Sequence, residues 1–272
     1  MLKKFDSLCV VYNNYDDTVD FCDSLKAMNL KEFSIRCFIL DNSTNPYIVD
    51  KVSGLSDSYD FVVVLPIGSN IGYFGAFNFF FQSSYFDKNR TVVLCNNDLI
   101  FDRGFCKKYI DNIESYPSDV MVICPDVITV DGIHQNPHLL KPLGFFSRLK
   151  LDLYFSNYYI ASILKFIQKI LLPFLPKKDN SYHKSGYTYL GIGACYILDK
   201  KFFSSFKKLV YPHFIYGEEA YLSAQVHSVD GRLYYDSQLK VQHKESATFS
   251  KLPSRLVYEY GKDGYWTYRN LY

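Results

Sequence analysis

Val92-Val93-Leu94-Cys95-Asn96-Asn97-Asp98 is an apolar run that ends on two amides and a carboxylate. A run this apolar suits a strand buried on both faces, and ligands of open α/β sheets collect outside the carboxyl ends of such strands. Asp98 is thereby delivered to a ligand-facing edge, although Asn-Asn-Asp also reads as a polar turn bonded to its own backbone. Working outward, the same pattern recurs upstream. Residues 7–12 lead into Asn13-Asn14, residues 35–40 end on Asp41-Asn42-Ser43, and residues 61–66 end on Gly68-Ser69-Asn70-Ile71-Gly72. Helical patterns over 19–28, 75–85 and 104–115 separate these runs. The alternation predicts βαβ units: an α/β fold with a mostly parallel central sheet and helices on both faces.

Downstream, residues 120–124 form another apolar run closed by Pro125-Asp126, and 127–147 read as irregular or hairpin structure with a tight turn at Asp131-Gly132. The globular pattern resumes over 187–198. A helix is predicted from near Lys200, another after Phe214, and short strands over 232–235 and 240–243.

A chain of 272 residues can bury a substantial core, and one main domain is expected. Its 30 Lys and Arg against 28 Asp and Glu leave no global basic field, which argues against a nucleic-acid partner. The seven cysteines lie mostly in apolar runs, without CxxC pairs or zinc spacing, and read as reduced core residues. Met1 to Asp6 lack the features of a signal peptide, from which a cytoplasmic location is expected.

Four polar clusters follow apolar runs: Tyr12-Asn13, Asp41-Asn42-Ser43, the stretch from Asn70 through Gly72 to Asn78, and Asn96-Asn97-Asp98. Strand ends on one sheet edge build a single crevice. Gly72-Tyr73-Phe74-Gly75 lacks the Lys and Ser/Thr of a Walker loop, and its glycines suit close packing of a helix N-terminus. Glu218-Glu219 opens a predicted helix, where acids complement the macrodipole or supply a general base. His243 ends a strand-like run. With Asp98 it offers one oxygen and one nitrogen donor, a pair suited to Mn²⁺ or Mg²⁺ when diphosphate oxygens and water complete the shell.

In order, Val10-Val11-Tyr12-Asn13, Leu40-Asp41-Asn42-Ser43, Asn70-Ile71-Gly72-Tyr73-Phe74-Gly75-Ala76-Phe77-Asn78, Cys95-Asn96-Asn97-Asp98, Gly191-Ile192-Gly193-Ala194-Cys195, Tyr216-Gly217-Glu218-Glu219 and His243-Lys244-Glu245-Ser246 resemble an inverting family 2 glycosyltransferase. The likeness is to the bacterial rhamnosyltransferase and galactofuranosyltransferase type. It implies a GT-A fold that binds a nucleotide-diphospho-sugar, with Asn96-Asn97-Asp98 in place of the DxD motif. Asp98 and His243 are then the metal ligands, and Asp41 contacts the base or ribose beside Tyr12 and Asn13. Gly191, Gly193 and Ala194 form the floor under donor sugar and acceptor, and Glu219 is the base with Glu218 as substitute. Asn96 replaces the first acid of the metal motif, and Tyr221 stands where the acidic motif commonly continues with Asp. The resemblance divides the chain into a nucleotide-sugar half (1–125), a helical aromatic insert (148–178) and an acceptor-binding and catalytic half (186–272). The implied reaction moves a sugar from a UDP- or dTDP-linked donor to a hydroxyl of a glycan or lipid-linked acceptor, as in O-antigen or capsule synthesis. The rival readings are a catalytically impaired sugar-binding or scaffold module of the same fold, and a sugar nucleotidyltransferase.

The insert is crowded with Leu, Ile, Phe and Tyr, places Lys165, Gln168 and Lys169 on one helical face, and ends at Pro173 and Pro176. Its uncharged run, 153–164, is shorter than the about 20 residues that span a bilayer. An interfacial helix is one expectation, with Tyr154, Phe155, Tyr158, Tyr159 and Phe166 at headgroup level and Arg148, Lys150, Lys165, Lys169, Lys177 and Lys178 near anionic lipid. That would place the protein peripherally at the inner face of the cell membrane. A helical hairpin covering the sheet, or a dimer contact, fits the hydrophobic pattern equally.

Overall fold

The computed structural model describes residues 3–28, 33–171, 181–245 and 254–271. A nine-stranded sheet runs in the order β3-β2-β1-β4-β8-β6-β9-β5, with β7 added against β9. Strands β1 (Lys3–Val11), β2 (Phe33–Asp41), β3 (Val62–Pro66) and β4 (Thr91–Asn96) are parallel neighbours. Next, β8 (Cys195–Leu198) lies antiparallel between β4 and β6 (Val120–Thr129), and β9 (Arg232–His243) runs parallel to β6. The short strands β5 (Leu99–Phe101) and β7 (Gly186–Thr188) pair antiparallel with β9.

Side chains of successive strand residues point to opposite faces, so each apolar run feeds two cores. Cys9, Cys37, Ile39, Val93 and Cys95 face one core, which is covered by α1 (Asp16–Lys26), α2 (Pro46–Ser53), α3 (Leu55–Ser58) and α5 (Phe105–Asn112). Leu8, Phe38, Leu40, Val92 and Leu94 face the other, under α4 (Tyr73–Phe81), α8 (Lys200–Ser205) and α9 (Glu218–His227). In α4, Phe74, Phe77, Phe80 and Phe81 recur at helical spacing and are all buried. All seven cysteines are free and buried, as their apolar settings predict.

At the amino end of the sheet Asp6 is fully buried, and Arg36 and Arg90 hold it with nitrogens 2.5 to 2.8 Å from its oxygens. Arg90 also donates to the backbone oxygens of Phe5 and Ser34, which ties β1, β2 and the approach to β4 together.

Two strands run on through breaks that the sequence suggests. β6 passes through Pro125-Asp126 to Thr129, because the register against β9 shifts between those residues and an irregularity tolerates a proline that cannot donate. For the same reason 232–235 and 240–243 are one strand.

The insert forms α6 (Phe145–Ser156) and α7 (Tyr158–Leu171), which pack together and against α10 (Ser254–Tyr268). Tyr154, Phe155 and Tyr158, expected at headgroup level, instead contact Tyr258 of α10, whereas Tyr159 and Phe166 are exposed. Pro173, Pro176, Lys177, Lys178 and Ser246 lie outside the described residues. No helix among the described residues is long and apolar enough to cross a membrane.

Candidate active site

The parallel register brings Val11 beside Asp41, Asp41 beside Pro66 and Val10 beside Asn96, so the loops after β1, β2, β3 and β4 open at one edge. Asn13, with φ of 50°, stitches the first two loops together. Its backbone N–H donates to Ser43 Oγ at 2.9 Å, and its Oδ1 accepts from the backbone N–H groups of Thr44 and Asn45. Tyr12, half-buried, lies between Val11 and Asn13.

Asp41 is buried, and its Oδ1 accepts the Ser43 backbone N–H at 2.9 Å. Its Oδ2 and the Oδ1 of Asn42 are buried without a hydrogen-bond partner. Orphaned acceptors of this kind are costly unless a ligand supplies donors. Asn42 Nδ2 donates to the Gly72 carbonyl, and Asn70 Oδ1 accepts the Gly72 N–H, which fixes the loop that enters α4.

Asp98 sits in the tight turn between β4 and β5. Because β5 pairs with β9 so that Leu99 faces His243, the imidazole arrives beside the carboxylate, with Nε2 3.3 Å from Asp98 Oδ1. The Lys244 N–H donates to the Asp98 carbonyl at 2.9 Å, and Lys244 Nζ binds Asp17 and Asp20 at 2.6 and 2.5 Å, anchoring this end of β9 to α1. His243 Nδ1 lies 2.8 Å from Gln135 Oε1, and Gln135 Nε2 donates to Glu245 Oε1 at 2.8 Å. A carboxylate accepts only, so it turns the Gln135 amide group toward itself and leaves Oε1 for the imidazole N–H. Nδ1 is then the donor to Gln135, and Nε2 is the nitrogen that faces Asp98, the one a metal would bind on the neutral ring. Among the described residues no cluster of three or more His, Cys, Asp or Glu could hold a metal. The pair fits Mn²⁺ or Mg²⁺ as a partial set of one carboxylate and one imidazole, with further oxygens supplied by a bound diphosphate and water.

Gly217 caps α9 with φ of 121°, after Tyr216 at φ of 67°. This turn presents Glu218, which is 7% exposed, and Glu219, which is half-buried. Glu219 Oε1 accepts the Gly193 N–H at 3.2 Å, and a Cβ on Gly193 would lie 2.7 Å from that oxygen, so a side chain there would displace the carboxylate. Burial raises both carboxyls. Glu218 reaches about 8 because the charge of Glu219 adds to its burial, against the backbone N–H groups of Tyr216, Gly217 and Glu218 that pull it down; Glu219 is raised by burial, against its own N–H and that of Gly193. Of the two, Glu219 is the one whose carboxylate is held against the Gly191–Ala194 segment, through the Gly193 N–H.

Gly191 through Ala194 join these parts. The Gly193 carbonyl accepts the Tyr73 hydroxyl at 2.8 Å, the Ala194 carbonyl accepts the Asn96 N–H at 2.9 Å, and the Gly191 carbonyl accepts the Tyr196 hydroxyl at 2.7 Å. Asn136 Oδ1 accepts the Ile192 N–H at 2.8 Å.

Two predicted contacts have other occupations. Asn97 Nδ2 donates to the Asn14 carbonyl and Thr18 Oγ1, and Asn78 spends both amide atoms on the Leu209 backbone at 2.9 and 2.8 Å. Gln135, Asn136 and Tyr73 were not singled out in the sequence for these roles. Only tertiary contact marks the first two, while Tyr73 lay inside a recognised motif.

A mixed sheet with helices on both faces, polar loops that open together at the strand ends and a carboxylate-imidazole pair there define a GT-A type fold. Residues 8–173, more than half of the chain, match the glycosyl transferase family 2 model, and the chain belongs to that family. No curated protein matches it. Among solved structures, it is similar to GalNAc-T7 with UDP, GalNAc and Mn²⁺ (TM-score 0.59, 11% identity, covering 93% of this chain and 45% of that one). It is also similar to residues 1–349 of S. aureus TarS in complex with UDP-GlcNAc (TM-score 0.58, 12% identity, 92% and 61%). The chain spans less than two thirds of each of these proteins.

Proposed function

We propose that the protein is an inverting, divalent-metal-dependent glycosyltransferase that moves a sugar from a nucleotide-diphospho-sugar to an acceptor hydroxyl. The carrying observation is the meeting of Asp98 and His243, 3.3 Å apart, from remote parts of the chain at the carboxyl end of β4. Residues 1–125 hold the donor in this reading and 186–272 supply catalysis and acceptor contacts. The orphaned Asp41 Oδ2 accepts a donor group of the base or ribose, with Tyr12 and Asn13 bordering that pocket. A bound Mn²⁺ or Mg²⁺ on Asp98 and His243 supplies charge neutralisation at the diphosphate. Glu219 accepts the proton of the acceptor hydroxyl. That oxygen bonds to the anomeric carbon from the face opposite the diphosphate, whose bond to carbon breaks with both electrons, and configuration inverts. Glu218, kept protonated near neutrality by burial, leaves a single negative charge beside the acceptor.

We assign the acceptor to a glycan or lipid-linked glycan of bacterial surface polysaccharide synthesis (O-antigen or capsule), at the inner face of the cell membrane. UDP- and dTDP-sugars are the donors to test. Purified protein is incubated with each donor, with Mn²⁺ and with chelator. Metal-dependent release of nucleoside diphosphate that disappears in Asp98→Ala and His243→Ala supports the assignment, and release that persists in both variants refutes it. A folded protein that binds donor but never cleaves it would favour the scaffold reading.

A further inference from the structure

The α6–α7 hairpin has two unlike sides. Its inner side is fastened to α10 and the C-terminal residues. Asp152 takes Arg269 through two nitrogens at 3.0 and 2.5 Å and accepts the Tyr265 hydroxyl at 2.5 Å. Phe155 stacks on Tyr265 with ring centroids 4.7 Å apart, and Ala161 of α7 is buried. The outer side carries apolar rows at helical spacing. Phe145, Leu149 and Leu153 follow one another on α6, each exposed, with Phe145 at 74%. On α7 the row is Tyr159, Ile163, Phe166 and Ile170, with Phe166 at 64%. A monomer in water rarely leaves so many large apolar side chains together on one element.

Charge identifies what covers them. Lys150 and Lys165 are exposed on the same two helices, Lys165 with its Nζ 5.8 Å over the Tyr154 ring, and the one acid of the hairpin, Asp152, is already bound to Arg269. A second copy would set these cations against their own kind, whereas anionic headgroups complement them. The helices hold 12 and 14 residues, too short to cross a bilayer and suited to lying in its interface. We propose that the outer side of α6–α7 seats on an anionic phospholipid bilayer.

This surface is fixed relative to the candidate base. α10 carries the hairpin and also closes on the turn before Glu218, where a Cβ on Gly264 would meet the Tyr216 carbonyl at 2.0 Å and one on Gly217 would meet the Tyr268 ring at 2.1 Å. Resting on the transfer reading above, this link favours an acceptor anchored in the same bilayer.

The test is co-sedimentation of the full chain, without donor or metal, with vesicles of phosphatidylcholine alone or mixed with phosphatidylglycerol. The protein is expected to partition to the mixed vesicles and to weaken with salt. Lys150→Gln with Lys165→Gln should lower partition about 25-fold, about fivefold for each cation near such a surface. Ile163→Glu with Phe166→Glu should abolish it, with thermal unfolding midpoints confirming folded variants. Equal partition of wild type and variants, binding to neither vesicle, or a wild-type dimer that Phe166→Glu splits into monomers would each overturn the proposal. Partition needs no chemistry, so its failure and the failure of sugar transfer are separately visible.

Discussion

Glu218→Gln separates the contributions of two adjacent carboxyls. Burial, reinforced by the charge of Glu219, lifts the Glu218 carboxyl from 4.5 to about 8. Between those values the folded protein keeps a proton that the unfolded chain has lost, so unfolding releases it. The stability this group contributes is therefore complete below about 4.5, declines as pH rises through the interval, and is gone above about 8. At about 1.4 kcal/mol for each tenfold change in proton affinity, the loss between pH 5 and pH 9 is on the order of 4 kcal/mol. Glutamine has the same shape and does not titrate, so its curve lacks this decline. Its amide does need a partner in the buried site, but that cost is the same at every pH and leaves the slope untouched. Urea unfolding of both proteins at pH 5, 7 and 9 reads the difference directly. The wild type should lose stability relative to the variant by a few kcal/mol across this range. Parallel curves would refute the argument that burial holds Glu218 neutral. In a transfer assay Glu219→Gln should lose at least about 100-fold, and Glu218→Gln much less, as general-base removal and loss of a spectator predict.

Replacing Gln135 by Leu should weaken Mn²⁺ binding about 10- to 100-fold, read from the electron paramagnetic resonance of free Mn²⁺, since the histidine loses the group that fixes its tautomer. Asp6→Ala leaves two arginines unpaired, one of them buried, and should cost about 3 to 5 kcal/mol in urea unfolding with donor affinity unchanged. Asn78→Ala removes two hydrogen bonds to Leu209 and should lower stability by about 1 to 3 kcal/mol; a selective loss of donor binding without loss of stability would instead restore its expected site role. Gly217→Ala places a methyl group on the Tyr268 ring at a left-handed position and should lower the unfolding midpoint, with partial recovery in the double variant with Tyr268→Ala.

Much of the fold was legible because local pattern and tertiary role coincide in the parallel half. Apolar runs ending in Asn13, Asp41 and Asn96 are strands whose ends the register aligns. Legibility fell where partners come from far away. The three residues Leu99–Phe101 gave no strand signal, since their conformation is imposed by β9. Pro125 reads as a stop in sequence and is carried through by the register shift in β6. The aromatic insert was recognised as helical, but Tyr154, Phe155 and Tyr158 carry no mark that they would face α10 instead of a bilayer.

By itself, the sequence determined the alternation of buried strands and helices, the polar strand ends, and the order of motifs that marks family 2, since hydrophobic periodicity and turn residues act over short range. The tertiary structure decided which polar side chains meet. It set His243 against Asp98 through one antiparallel register and gave the imidazole Nδ1 its acceptor through Gln135 and Glu245. It likewise turned Asn78 and Asn97 to structural contacts, and gave Glu219, not Glu218, the N–H of Gly193. Those outcomes depend on hydrogen bonds and burial between distant segments, quantities that come into existence only when the chain closes on itself.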